Sequence, residues 1–287
     1  MGRRAQRTRS PLVTPDRGVV PPPAGARAPL PTRPQATPPL DAAFGDALDA
    51  ALAALGLMLM PGVRAGIEAH VRLLLAWNAA INLTAIRAPH AIALEHVADA
   101  LSAVSVVRRL TLHEQPALLD LGSGAGFPGL PLGLALGVGR LTLVDSVAKK
   151  SRFLQAAGSA AVAAQKAAGE AAPRLLVCAD RAESLARLDD HRGRYDLVTA
   201  RAVGPLAELA ELALPLLRPG GRLIAWKRDL EAAAGDSALG HELADADRLL
   251  PLLGGRLEDH RLVIVQAVRP IPSLYPRTPT ERRRDRR

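Results

Sequence analysis

Between residue 41 and about residue 110, apolar positions recur three and four residues apart. The pattern runs through "FGDALDAALAALGLMLM", "VRAGIEAHVRLLLAWNAAINL" and "HAIALEHVADALSAVSVVRRL", and this spacing predicts helices. Pro61-Gly62 and Pro89 punctuate them. From 117 onward, short β-branched or leucine-rich runs alternate with Ala/Leu-rich helical stretches: "ALLDL", "RLTLVDS", "RLLVCAD", "YDLVTAR", "GRLIAWK", then "GRLEDH" and "RLVIVQAV". Strands separated by helices imply right-handed crossovers and a parallel sheet covered on both faces. No helical pattern separates the last two runs, so they should form a hairpin with the final strand antiparallel. The pattern therefore predicts an α/β fold: a seven-stranded, doubly wound, Rossmann-like sheet. A helical segment (41–110) precedes the sheet domain (111–268), which ends in an antiparallel hairpin.

Charge changes the picture at the two ends. The chain has 287 residues, 48% of them hydrophobic, and a formal net charge of +9. Residues 1–40 carry seven arginines against Asp16, and residues 268–287 carry seven against Glu281 and Asp285. The stretch between is slightly acidic. Basic tails (1–40 and 269–287), the first Pro-rich, are expected to be disordered. They could lengthen an electrostatic contact with a phosphate backbone, or be compositional bias with no role.

Cysteine and histidine narrow the chemistry. Cys178 is the only cysteine, so an internal disulfide and a Cys-rich zinc site are both excluded. A reducing cytoplasm is the expected setting. The seven histidines show no H-x-x-H or HExxH spacing, so no metal site is expected. No apolar run reads as a membrane span; "ALAALGLMLMPG" is too short. The N-terminus lacks the apolar core of a secretory signal.

The densest chemical signal is "LLDLGSGAGFPGLPLGLAL", residues 118–136. Gly122, Gly124 and Gly126 lie between the first strand and its helix, where glycine permits a tight turn and close approach to a ligand. Two cofactor classes compete. Gly124 through Gly129 fits G-x-G-x-x-G with Asp145 nineteen residues past Gly126, as in dinucleotide sites. Asp120 through Gly126 also reads D-x-G-x-G-x-G, the first loop of S-adenosylmethionine-dependent methyltransferases. Asp120 suits the cationic end of that donor and would repel a pyrophosphate. Pro128 removes an N–H that a pyrophosphate would use. "LLRPGGRLIAW" and the closing hairpin also favour the methyl donor.

Ligands of open α/β sheets bind at the carboxyl ends of the strands. That places Asp145 on the donor's ribose hydroxyls, Asp180, Ala182 and Glu183 beside its adenine, and Arg201 at the mouth. After strand four, "RAVGPLAEL" lacks the N/D-P-P-aromatic loop of adenine amino methylation. Cytosine carbon methylation needs a cysteine nucleophile, and the lone Cys178 reads as a small core residue. Lys149, Lys150, Lys166 and Lys227 are the only lysines, which makes lysine-based activation of a ribose hydroxyl unattractive. An acceptor with its own lone pair remains, and guanine N7 is one.

Together "NLTAIR", "EHVADAL", the glycine loop, "LTLVDSVAKKSRFL", "DRAES" and "ARAVGPLAEL" resemble the small-subunit ribosomal RNA methyltransferase G family (glucose-inhibited division protein B) over about residues 45–268. The resemblance implies S-adenosylmethionine-dependent methylation of a guanine N7 in 16S rRNA, by a cytoplasmic monomer acting on 16S rRNA or a small-subunit precursor and independent of membranes. It implies donor contacts from Gly122, Phe127, Ala182, Glu183 and Arg201, joining Gly124 and Asp145 of the loop reading. Arg201 carries the catalytic role. His96 and Asp99 match the family's His-x-x-Asp and are expected to bond each other. Two other classes remain open: a nicotinamide oxidoreductase using the same loop, and a non-catalytic RNA-binding module.

Overall fold

The computed structural model describes residues 29–110, 112–227, 237–259 and 262–284. Its first long helix, α1 (Ala42–Ala54), starts where the Asp41 carboxylate accepts the Phe44 N–H at 3.0 Å, a side-chain N-cap. α2 (Pro61–Ile81) begins with proline, whose missing N–H costs nothing in a first turn. The free N–H groups of Gly62 and Val63 donate to the Glu170 carboxylate at 2.6 and 3.1 Å, so a remote anion closes the helix's positive end. α3 (Pro89–Arg108) carries a π-turn at Ala93–Ala98.

The strands are β1 (Ala117–Leu121), β2 (Arg140–Val144), β3 (Arg174–Cys178), β4 (Tyr195–Arg201), β5 (Leu217–Trp226), β6 (Gly255–Asp259) and β7 (Val263–Ala267). Between and after them lie α4 (Gly129–Leu136), α5 (Ala148–Ala167), α6 (Ala182–Leu185), α7 (Leu206–Ala213), α8 (Ala238–Leu253) and α9 (Pro279–Arg284). They form one sheet in the order β3-β2-β1-β4-β5-β7-β6. β1 to β5 are parallel, and β7 runs antiparallel to both β5 and β6. This agrees with the predicted seven-stranded sheet and its closing hairpin. The strand order reverses beside β1, which opens the crevice where such sheets bind ligands. α2 runs along α5. At their contact, a Cβ on Gly66 would stand 2.9 Å from the Ala161 carbonyl oxygen, so only glycine allows this approach.

Two expectations need correction. α3 is long and apolar enough to cross a membrane, with a mean hydropathy of 1.3 over an 18-residue window that is half buried. Ile92, Val97, Leu101 and Val104 of this helix are buried in the protein core. The second correction concerns the tails. Within the N-terminal one, residues 1–28 lie outside the described residues. Thereafter Trp77 donates its indole N–H to Pro31 O at 2.7 Å, and Arg72 holds Pro34 O and Pro38 O at 2.6 and 3.0 Å.

The C-terminal segment is packed as far as Arg284. Arg277 bonds Glu211 through its backbone N–H at 2.7 Å and its guanidinium at 3.1 and 2.8 Å. Arg192 holds the carbonyls of Ile271, Pro272 and Tyr275 at 2.8–3.1 Å. Arginines that read as a solvated tail supply the cation that a buried carboxylate requires. The Glu211 side chain is 1% exposed. Arg277→Ala should therefore cost about 3 kcal/mol, because it leaves that charge unpaired. Urea denaturation checks this, and a loss near zero would contradict a structural role for the segment.

Candidate active site

Gly122, Gly124 and Gly126 adopt φ of +67°, +54° and +89°, values at which any side chain is strained. Ser123 ties the loop to both neighbouring strands. Its N–H donates to Val144 O at 2.9 Å, its hydroxyl donates to Asp120 O at 3.0 Å, and that hydroxyl accepts the Val144 N–H at 3.1 Å. Asp145 follows β2 and is 7% exposed. Its Oδ2 accepts the Gly124 N–H at 3.0 Å and its Oδ1 the Val147 N–H at 2.9 Å. Each oxygen retains acceptor capacity for a further donor.

Beside the loop lies a cavity of about 350 Å³ lined by Gly122, Asp145, Lys150, Asp180, Ala182 and Glu183, among others. Tertiary structure thus brings together Gly122, Asp145, Ala182 and Glu183 from the ends of three strands. Gly124 lies behind them, bonded to Asp145. Phe127 is only 4% exposed and does not line this cavity. Arg201 lines a second cavity of about 780 Å³, with Leu94, His96, Asp99, Trp226 and Lys227. Ala202 borders both cavities and has φ +58°, a left-handed conformation that costs alanine roughly 1 kcal/mol.

Asp120 departs from its expected role. It is fully buried, accepts the Thr199 hydroxyl at 2.7 Å and lies against Gly129, where a Cβ would come within 2.7 Å of its Oδ2. Burial pushes its pKa up to about 6. It packs behind the loop and lines neither cavity.

His96 and Asp99 do not bond each other; both hold Arg201. The Arg201 guanidinium reaches Asp99 Oδ2 at 2.7 Å, Glu95 O at 3.1 Å and His96 Nδ1 at 2.9 Å. A guanidinium only donates, so Nδ1 is the acceptor and the ring proton sits on Nε2. Nε2 then donates to the Thr84 hydroxyl at 2.7 Å, and that oxygen also accepts the Ile86 N–H at 3.1 Å. Burial, and then the Arg201 charge, lower the His96 pKa to about 4, which keeps Nδ1 free to accept. The π-turn carries His96 and ends beside Asp99, a local departure that often marks functional sites.

The Phe127 ring stacks on His96 with centroids 4.8 Å apart and meets the His70 ring, tilted, at 4.6 Å. Sequence reasoning missed His70. It is fully buried and contacts the loop carbonyl of Ala125 through Nε2 at 2.7 Å. A lone histidine in the apolar stripe of α2, three residues after Ile67, was the available signal. Trp226 was missed too; its indole N–H donates to Asp99 O at 3.1 Å. Arg282 lies in the segment that composition places in a tail, yet it binds Glu183 at 2.7 Å and Glu208 at 3.2 Å.

The sheet order, the glycine loop after β1 and the acid after β2 define a Rossmann-like methyltransferase. A family model described as GidB, rRNA small subunit methyltransferase G, matches residues 64–238. Ribosomal RNA small subunit methyltransferase G of Symbiobacterium thermophilum is 37% identical over 82% of this chain and 94% of its own. The protein of that name from Deinococcus deserti is 40% identical over 70% of this chain and 79% of its own. The Bacillus subtilis one is 32% identical over 79% and 92%. The chain belongs to the rRNA small subunit methyltransferase G family. That membership sets aside the nicotinamide oxidoreductase and the non-catalytic module.

His70 generates a pH prediction. Burial lowers its pKa to about 4, so the unfolded chain, with a histidine pKa near ~6.5, takes up a proton first as pH falls. The sign follows: the stability conferred by neutral His70 is present above about pH 6.5 and is lost between there and about pH 4. His70→Gln should flatten that slope in denaturation series. His96 and His191, whose pKa values burial also lowers, add to the remaining slope, and Asp120, raised by burial to about 6, opposes it. An unchanged slope would contradict a buried neutral His70.

Proposed function

We propose that this protein transfers a methyl group from S-adenosylmethionine to N7 of a guanine in 16S rRNA, acting as a cytoplasmic monomer without membrane attachment. One observation carries the reading: the cavity built by the glycine loop and Asp145 adjoins a larger one holding Arg201 and Trp226, and Ala202 borders both. Two ligands seated in these cavities would meet near Ala202, the arrangement that group transfer needs.

The residues fit the donor. Asp145 offers acceptor capacity to ribose hydroxyls, and its carboxylate is already oriented by two backbone N–H groups. Gly122 leaves room beside Val203, whose Cγ2 would lie 2.8 Å from an added Cβ. Ala182 and Glu183 face the same cavity. Burial alone would raise the Glu183 carboxyl; the Arg282 hydrogen bond and charge outweigh it and hold it below the usual range. S-adenosylmethionine supplies an electrophilic methyl on a sulfonium. Phe127 acts indirectly, through its ring contacts with His70 and His96.

The second cavity suits a flat base. Trp226 and Leu94 offer apolar surface, and Arg201 is fixed by three partners while retaining spare N–H donors. Ring-nitrogen methylation removes no proton in the attack, so the reaction needs no general base. Of the two carboxylates lining the cavity, Glu95 and Asp99, Asp99 is committed to Arg201, and His96 is a weak base with its acceptor nitrogen occupied. The chain's contribution is to draw the guanine from its stack and hold it in line.

N7-methylguanine is positively charged and has a labile glycosidic bond. Borohydride–aniline treatment of 16S rRNA incubated with protein and donor should reveal one cleavage site, absent with Arg201→Ala. A methyl group recovered on an exocyclic amine, a ribose or a pyrimidine carbon would refute the N7 assignment. Donor binding offers a separate check: Arg282→Gln should weaken S-adenosylhomocysteine about tenfold in calorimetry by releasing Glu183. An unaltered Kd would show that Glu183 needs no such anchor.

A further inference from the structure

Arg140 opens β2 and Arg174 opens β3, and the two are direct partners across the strand pair. Partnered residues project from the same face at roughly 5 Å, where like charges destabilise a sheet. Arg194 and His191 reach the same place from the loop before β4. Together with Leu176 and Asp190 they line a cavity of about 490 Å³. One carboxylate there faces three guanidinium groups.

Among the described residues, the excess charge is not neutralised. Arg140 lies over the Tyr195 ring at 4.4 Å and donates to Arg194 O at 3.1 Å, but its Nε is buried without a hydrogen-bond partner. Arg194 donates from Nε to Asp189 O at 3.0 Å. Among the described residues, the Arg174 guanidinium has no partner at all. Burial and the Arg140 charge together lower the His191 pKa, a sign of the local positive field. Leu176, 40% exposed, lies on the same open face of the edge strand β3.

Planar guanidinium forks match tetrahedral oxyanions, and three of them around one cavity give such an anion several charge-assisted bonds. We propose that this cavity binds a phosphate-class oxyanion, either a phosphate of an RNA backbone or free phosphate. It lies at the amino ends of the strands, whereas the two cavities described above lie at their carboxyl ends. The site would therefore anchor a ligand far from the reacting atoms.

The test compares wild-type protein with Arg140→Gln/Arg174→Gln, and with the exposed single change Arg174→Gln in case the double variant folds poorly. S-adenosylhomocysteine binding should be equal in all three, since Gly122 and Asp145 sit at the opposite end. Binding of 16S rRNA is measured by filter retention across a KCl series, and thermal unfolding is followed with added inorganic phosphate. A log–log salt slope shallower by about 0.7 to 0.9 per lost contact assigns the cavity to RNA backbone. An unchanged slope, with phosphate raising Tm in wild type and not in the variants, assigns it to free phosphate. Equal slopes and equal phosphate responses overturn the proposal. The RNA arm rests on the rRNA substrate reading. A wild-type protein that fails to bind rRNA would remove that reading, while the phosphate arm would still judge the cavity.

Discussion

A carboxylate withdrawn from water must be met by donors, and most of this architecture follows from how that demand is satisfied. Glu170 is met by the first N–H groups of α2, Glu211 by Arg277, Glu183 by Arg282 and Asp145 by the glycine loop. Asp196, 3% exposed, pairs with Arg218 at the start of β5 and also accepts the Ala117 N–H at 2.8 Å. Each match joins segments far apart in the chain. Removing one partner would leave a buried or half-buried charge unmet, so these contacts hold the helical segment, the sheet and the C-terminal segment in one arrangement.

The same logic shapes the reactive end of the molecule. Arg201 at the end of β4 is pinned by Asp99, Glu95 O and His96, all on or beside the π-turn of α3. His96 can accept from Arg201 only while neutral, and its burial keeps it so. The ring contacts of Phe127 with His96 and His70 carry that order back to the glycine loop and to α2. A cation fixed in this way offers directional hydrogen bonds without first losing the freedom of a long side chain.

The two ends of the sheet contrast in charge logic. At the carboxyl ends, acids and a pinned arginine border concave space suited to a donor and a base. At the amino ends, Arg140 and Arg174 stand as like-charged neighbours, and among the described residues Asp190 is the one carboxylate lining their cavity. Basicity that composition located in the tails is thus also present on the folded body.

Periodicity is a local property, so the chain's own pattern determined the elements: the helices up to 110, the strands and the closing hairpin. The run of glycines announced the loop because glycine adopts the φ values found there without strain. The positions of Asp145, Ala182, Glu183 and Arg201 at strand ends followed from the rule that parallel sheets bind ligands there. Partnership was decided by tertiary structure. Glu183 and Arg282 are 99 residues apart, and Arg201 and Asp99 are 102 apart; no spacing rule links them. Asp120 could not be told from a ligand-facing acid by position, since whether its carboxylate meets Thr199 or a cavity depends on how α4 packs over it. His70 and the arginine pair at the opposite edge were hidden for the same reason. A side chain's charge and shape are written in the sequence, but its dielectric surroundings are created by segments that only folding brings beside it.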